Sequence, residues 1–98
     1  MDEPTEDEKW LVVDGRRWRR TDPAIPDDAL ARLTSHLGRG RSGVRSAADD
    51  EALAATRHRT QVAKVGLGER GTPWWEQTDA ERRERWESAL AELDALDG

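Results

Sequence analysis

Asp14-Gly15 is the pair that most constrains this chain. It stands between the apolar run Trp10–Val13 and the basic run Arg16–Arg20. A two-residue hairpin loop of type I′ needs φ > 0 at both central positions, and Asp-Gly supplies them. Such a loop sets Val13 opposite Arg16, Val12 opposite Arg17, Leu11 opposite Trp18 and Trp10 opposite Arg19. Side chains alternate across a strand, so one face carries Leu11, Val13, Arg16 and Trp18, and the other Trp10, Val12, Arg17 and Arg19. The first face is expected to join the core. On the second, arginine stems can lie over Trp10 and Val12, with a cation–π contact at Trp10. A lone hairpin is marginal in water, so this one requires helices behind it.

The helices are legible in the rest of the chain. Pro26-Asp27-Asp28 is a helix start, with proline at the first position and acids in the first turn. Leu30, Leu33, Leu37, Gly40, Val44 and Ala47 then recur at alternating spacings of three and four, which is one helical stripe. Gly38, Gly40 and Gly43 each oppose a helix by about 1 kcal/mol. The stripe nevertheless keeps its phase through them, which predicts one helix over about 26–47 with another helix close to Gly40. Asp49-Asp50-Glu51 opens a second helix over 50–67 with Ala52, Ala55, His58, Val62 and Val65 on one face. Gly66, Gly68 and Gly71 end it, and "TPWWEQ" is an irregular aromatic link. Thr78 and Glu81 form a capping box for a last helix over 79–96, with Trp86, Ala89, Leu90, Leu93 and Leu96 on one side.

Ninety-eight residues make a single small domain, here 9–98, behind an acidic segment 1–8 that lacks apolar residues after Met1 and is expected to be a disordered tail. The net charge of −5 is unevenly spread: residues 1–8 and 72–98 each carry −5, while 9–22 carry +3 and 23–48 carry +2. Without cysteine, disulfides, thiol catalysis and cysteine-ligated metals are excluded. The longest apolar run, Trp10–Val13, is far short of the ~20 residues that span a bilayer, and the acidic start is unlike a signal peptide. A soluble, cytoplasmic protein with no membrane partner is expected. Five tryptophans, with no Phe or Tyr, are expected to carry much of the buried apolar surface.

Several patterns resemble chemistry without its context. "GLGERG" (Gly66–Gly71) matches a dinucleotide fingerprint, but that motif works between a strand and a helix; here it follows a helix, so it is read as helix termination and no cofactor is expected. His36 and His58 miss each other by about a helical turn, ~5 Å, if their helices are antiparallel, so no metal site is expected. "RRERW" (Arg82–Trp86) among Glu81, Glu84 and Glu87 reads as a solvated, ion-paired face. The hairpin stands out. Arginines interleaved with tryptophans are how single-strand binders hold phosphates and stack bases, and the candidate surface is Trp10, Arg17 and Arg19. The plainer reading is that these arginines keep a short edge strand soluble.

The run "WLVVDGRRWRR-TDPAIP", two helices and then "AKVGLGERGTPWWE" resembles a group of short bacterial proteins often labelled "biopolymer transporter Tol", over about residues 9–77. That resemblance implies a β-hairpin with a helical hairpin, and supplies no active-site residue to carry over. The expected architecture is therefore α+β: an N-terminal β-hairpin packed on an antiparallel helical hairpin, plus a C-terminal amphipathic helix. No nucleophile, base and orienting group assemble from the residues. The expected function is a non-enzymatic interaction or regulatory module that binds another protein, with nucleic-acid binding through the hairpin as the alternative.

Overall fold

A computed structural model describes residues 4–97. In chain order it contains a helical turn α1 (Glu6–Lys9), strands β1 (Trp10–Val13) and β2 (Arg16–Arg19), helices α2 (Asp27–Ser46) and α3 (Asp50–Gly66), a 3₁₀ turn Trp74–Glu76 and helix α4 (Asp79–Leu96). This is the α+β architecture of hairpin and helices. The strands pair antiparallel in the expected register, Val13 with Arg16 through Trp10 with Arg19. Asp14 and Gly15 take φ of 52° and 77°, the left-handed pair of a type I′ turn.

The acidic segment 1–8, expected to be a disordered tail, carries a helical turn where the structure describes it. Thr5 Oγ accepts the Glu8 amide at 3.3 Å and Glu8 returns a carboxylate to the Thr5 amide, a capping box that starts α1. Arg20 Nε donates to the Asp7 carbonyl at 2.7 Å and fastens this turn to the end of β2. The part of the expectation that concerns residues 1–3 lies outside the described residues.

Helix α2 does run straight through its glycines, and the reason is contact. A Cβ on Gly40 would stand 2.2 Å from Thr60 Oγ1, 3.2 Å from Thr60 N and 3.3 Å from Thr60 Cα. One on Gly43 would meet Thr56, and one on Gly66 would meet Leu33 and Ala89. Gly43 beside Thr56, Gly40 beside Thr60 and Leu33 beside Gly66 make α2 and α3 an antiparallel pair in near backbone contact. The α3 residues set against α2 are thus Thr56, Thr60 and Gly66, with Ala63 in the core; of the expected stripe Ala52, Ala55, His58, Val62 and Val65, Val62 is in the core, Ala52 and Val65 are half-buried, and Ala55 and His58 are exposed. Threonines and a glycine hid that face from a search for apolar residues.

The core is aliphatic: Ile25, Ala29, Leu33 and Leu37 meet Val62, Ala63 and Leu67, closed by Ala89, Leu90 and Leu93 of α4. The tryptophans are mostly elsewhere. Trp74 is buried, Trp10, Trp75 and Trp86 are half-buried, and Trp18 is exposed. Val44 and Leu96, placed on apolar stripes by the sequence, are exposed as well.

Asp22 binds these layers together. Its amide donates to the Leu67 carbonyl at 2.9 Å, and its carboxylate accepts Arg82 Nε at 3.0 Å, Arg85 Nη2 at 2.6 Å and the Ala24 amide at 2.8 Å, with a further contact from Arg82 Nη2. Arg85 also donates to the Gly66 carbonyl and to Gln77. Beside it, Trp74 Nε1 donates to the Arg20 carbonyl at 3.0 Å and the Arg82 guanidinium lies over the Trp74 ring. Gly68, at φ 81°, passes so close that a Cβ would meet Asp22 and Trp74. "RRERW" therefore divides: Arg83 makes the expected solvated pair with Glu87 at 2.6 Å, while Arg82 and Arg85 turn inward.

Burial raises the pKa of Asp22, but the hydrogen bonds from Arg82, Arg85 and the Ala24 amide outweigh it and hold the carboxyl below its ordinary value. Its contribution to stability is then full above about pH 4 and is lost as pH falls through the lowered folded value. Asp22→Asn should cost about 3–5 kcal/mol, because it leaves two guanidinium groups without their anion. It should also flatten the acid limb of stability, both read by urea denaturation at several pH values. A second test concerns glycine. Gly40→Ala should destabilise by about 1–3 kcal/mol through overpacking. Gly38→Ala, with nothing within 4 Å of the new Cβ, should stabilise by about 0.5–1 kcal/mol.

Candidate interaction surface

The hairpin is held at its base and free at its tip. Trp10 meets Trp75 edge-on, with ring centroids 5.5 Å apart, and Trp75 meets Trp74 in the same way at 5.2 Å. Arg19 Nη1 donates to the Gly71 carbonyl at 2.9 Å, and its guanidinium lies 5.7 Å from the Trp75 ring centre. Arg17 lies over Trp10 at 4.3 Å and pairs with Glu6 at 3.3 Å. The structure thus brings Trp10, Arg17 and Arg19 together, but as the hairpin's attachment. Trp10 and Arg19 are half-buried, and each of the three is occupied by its own chain. The cation–π contact expected at Trp10 is present.

The face expected to enter the core is open, as is Val12 toward the tip of the opposite face. Leu11, Val13 and Trp18 are 43%, 45% and 45% exposed. The cause is the anchor. Trp75 takes the Trp10 side of the sheet, so four-residue strands project past the helices with their other face over a gap. Leu11, Val13 and Trp18 form one wall of that groove, and Arg41 of α2 with Lys64 of α3 stands across it; the space is about 630 Å³. Four of the six large hydrophobic side chains left exposed among the described residues, Leu11, Val12, Val13 and Trp18, belong to this hairpin.

The groove is positively charged. The Arg16 guanidinium and the Lys64 amine each lie 5.7 Å from the Trp18 ring centre. Among the described residues, neither Arg16, Arg41 nor Lys64 has a carboxylate within ion-pair distance. Glu69 is turned to the Thr21 hydroxyl at 2.7 Å. Burial, then repulsion from Arg70 and Arg41, lowers the Lys64 pKa, with Glu69 opposing them in part. The groove therefore has a field that a bound carboxylate would relieve.

The histidines are engaged separately. His36 is buried; Arg39 and Arg59 each place a guanidinium nitrogen 2.8 Å from its Nδ1, and Nε2 faces Asp94 at 3.4 Å. His58 meets Glu92 at 3.1 Å on the exposed side of α3. Among the described residues, no three metal-ligating side chains converge, and no helix is long and apolar enough to cross a membrane.

Sequence reasoning missed Asp22 and the open hairpin face. Asp22 resembles a turn residue, yet Arg82, Arg85 and Ala89 follow one another at spacings of three and four on the inward line of α4, a signal that a buried anion awaits the arginines. Lys64 offers a direct check on the groove. Arg41→Gln with Arg70→Gln should raise the Lys64 pKa toward its ordinary value, followed by NMR of the lysine side chains, of which the chain has two, Lys9 and Lys64. An unmoved Lys64 titration would show that these arginines do not set the potential there.

Compared with known proteins, the chain matches no family model, no curated protein and no solved structure.

Proposed function

We propose that this protein is a non-enzymatic interaction module that docks an acidic, extended segment of another protein in the groove between the hairpin and α2–α3. The observation that carries this reading is the Leu11, Val13 and Trp18 face, left half-exposed beside Arg16, Arg41 and Lys64. Apolar side chains clustered at a cationic rim suit a partner that brings both aliphatic groups and carboxylates. Trp18 is the natural anchor, since exposed tryptophans flanked by charge carry a large share of binding energy in protein interfaces. The non-enzymatic part of the reading is supported by His36 and Asp22, whose polar atoms are taken up by guanidinium groups.

The same cations invite comparison with single-strand binding, in which several rings stack successive bases. Here Trp10 and Trp74 each meet Trp75 edge-on, which leaves Trp18 as the exposed ring of the hairpin and its link. Aliphatic neighbours and a single platform favour a peptide.

Fluorescence anisotropy with labelled peptides that alternate Asp or Glu with Val or Leu tests the reading. Binding should weaken at least tenfold in Trp18→Ala and in Arg41→Glu with Lys64→Glu. Stability should change by no more than about 0.5 kcal/mol in Trp18→Ala, as for other exposed positions. Mixed-sequence single-stranded oligonucleotides that bind more tightly, with a log–log salt slope of roughly −0.7 per phosphate, would give the groove to nucleic acid. Silence with both probes up to high micromolar concentration would overturn the docking reading.

A further inference from the structure

A second groove lies between α3 and α4, with a space of about 470 Å³. Its floor is apolar, made by Val62, Val65 and Ala89, and its rim carries Glu81, Glu84 and Glu92. Glu81 is held by the Thr78 cap and Glu92 by His58, which fixes two of the three carboxylates in place. Glu84 has no cation within ion-pair distance among the described residues. Arg85 also lines the groove, but its guanidinium is committed to Asp22 and its side chain is 7% exposed.

This is the complement of the hairpin tip in both chemistry and charge. The hairpin offers Trp18 and Val13 with Arg16 beside them; the groove offers an apolar floor beneath carboxylates. Within one molecule the two are separate: the hairpin face looks onto Arg41 and Lys64, and no residue that lines its groove also lines the α3–α4 groove.

We infer that a second copy of this chain is the acidic partner, the hairpin tip of one molecule seating in the α3–α4 groove of the next. This rests on the docking reading above for the hairpin face, and sets a folded acidic groove of the same chain against it in place of an extended segment. The contact is heterologous, since a basic hairpin meets an acidic groove. It closes into a dimer where two molecules exchange hairpins, and otherwise extends head to tail. A single hairpin covers less surface than a standard stable interface, so the association is weak, concentration-dependent and loosened by salt.

Analytical ultracentrifugation of the full chain, from low to high micromolar at low and high salt, tests this. Average mass should rise with concentration at low salt and fall back at high salt. Arg16→Glu with Trp18→Ala removes the hairpin end of the contact, and Glu84→Arg with Glu92→Arg removes the groove end. Each variant should self-associate at least tenfold more weakly while keeping the helical circular dichroism of the parent. Their mixture should form a 1:1 complex, because one intact hairpin and one intact groove remain. Glu84→Arg by itself should show the same loss if the second substitution disturbs folding.

A parent that stays monomeric throughout would overturn the inference, as would association that both variants retain. The docking reading fails separately. A monomeric parent that still binds acidic peptides at Trp18 keeps that reading and rejects the second copy, whereas loss of both rejects both.

Discussion

The carboxylate of Asp22 is the interaction on which the rest of this structure depends. The hairpin linker, the end of α3, the tryptophan link and α4 all meet at this buried anion. Arg82 and Arg85 reach it from α4, the Leu67 carbonyl takes its amide, and Trp74 closes over the same junction. A charge this deep is tolerable when its hydrogen-bonding capacity is filled. Two guanidinium groups and the Ala24 amide fill it. The arrangement also sets direction, since forked donors at fixed spacing accept a carboxylate in few orientations.

From that junction follows the placement of the hairpin. Trp74 is drawn into the interior, which leaves Trp75 on the adjoining side to receive Trp10, while Arg19 reaches the loop carbonyls. The strands are thus gripped at one end. Four-residue strands cannot both reach that grip and lie flat on α2 and α3, so Leu11, Val13 and Trp18 overhang a space. An exposed apolar patch of this kind on a small protein commonly marks an interaction site. Its cationic margin, built from Arg16, Arg41 and Lys64, gives the patch a preference of sign.

Charge is sorted over the molecule in a way the net value of −5 conceals. Cations without acidic partners gather around the hairpin groove, and carboxylates gather along α4. The close pairing of α2 with α3 makes this separation workable. Glycine at 40, 43 and 66 lets the backbones approach, so the helical layer is thin and its two sides present different chemistry within a short distance. The Arg39–Asp97 and Arg59–Asp97 pairs tie the last turn of α4 to both other helices and keep its acidic side in register.

The amino-acid sequence by itself determined the local structure. Asp14-Gly15 sets the turn because few residue pairs accept two positive φ values; Pro26 with two acids sets a helix start through its fixed φ and the helix dipole, and Thr78 with Glu81 sets another because they answer unpaired amides. Gly40 signalled a close helix because a stripe that crosses glycine implies something pressed against it. Tertiary structure alone decided which faces are covered. Both sides of the hairpin carry a tryptophan and aliphatic residues, so alternation cannot rank them; Trp75, distant in sequence, chose Trp10. On α3 the residues set against α2 are threonine, alanine and glycine, selected for size rather than hydropathy, so the apolar stripe found Val62 but missed the face that meets α2. Asp22 is a turn residue until two arginines sixty positions away reach it. Local preferences act through neighbouring dihedrals and are written in short segments, whereas burial is a competition among surfaces that meet only when the chain is folded.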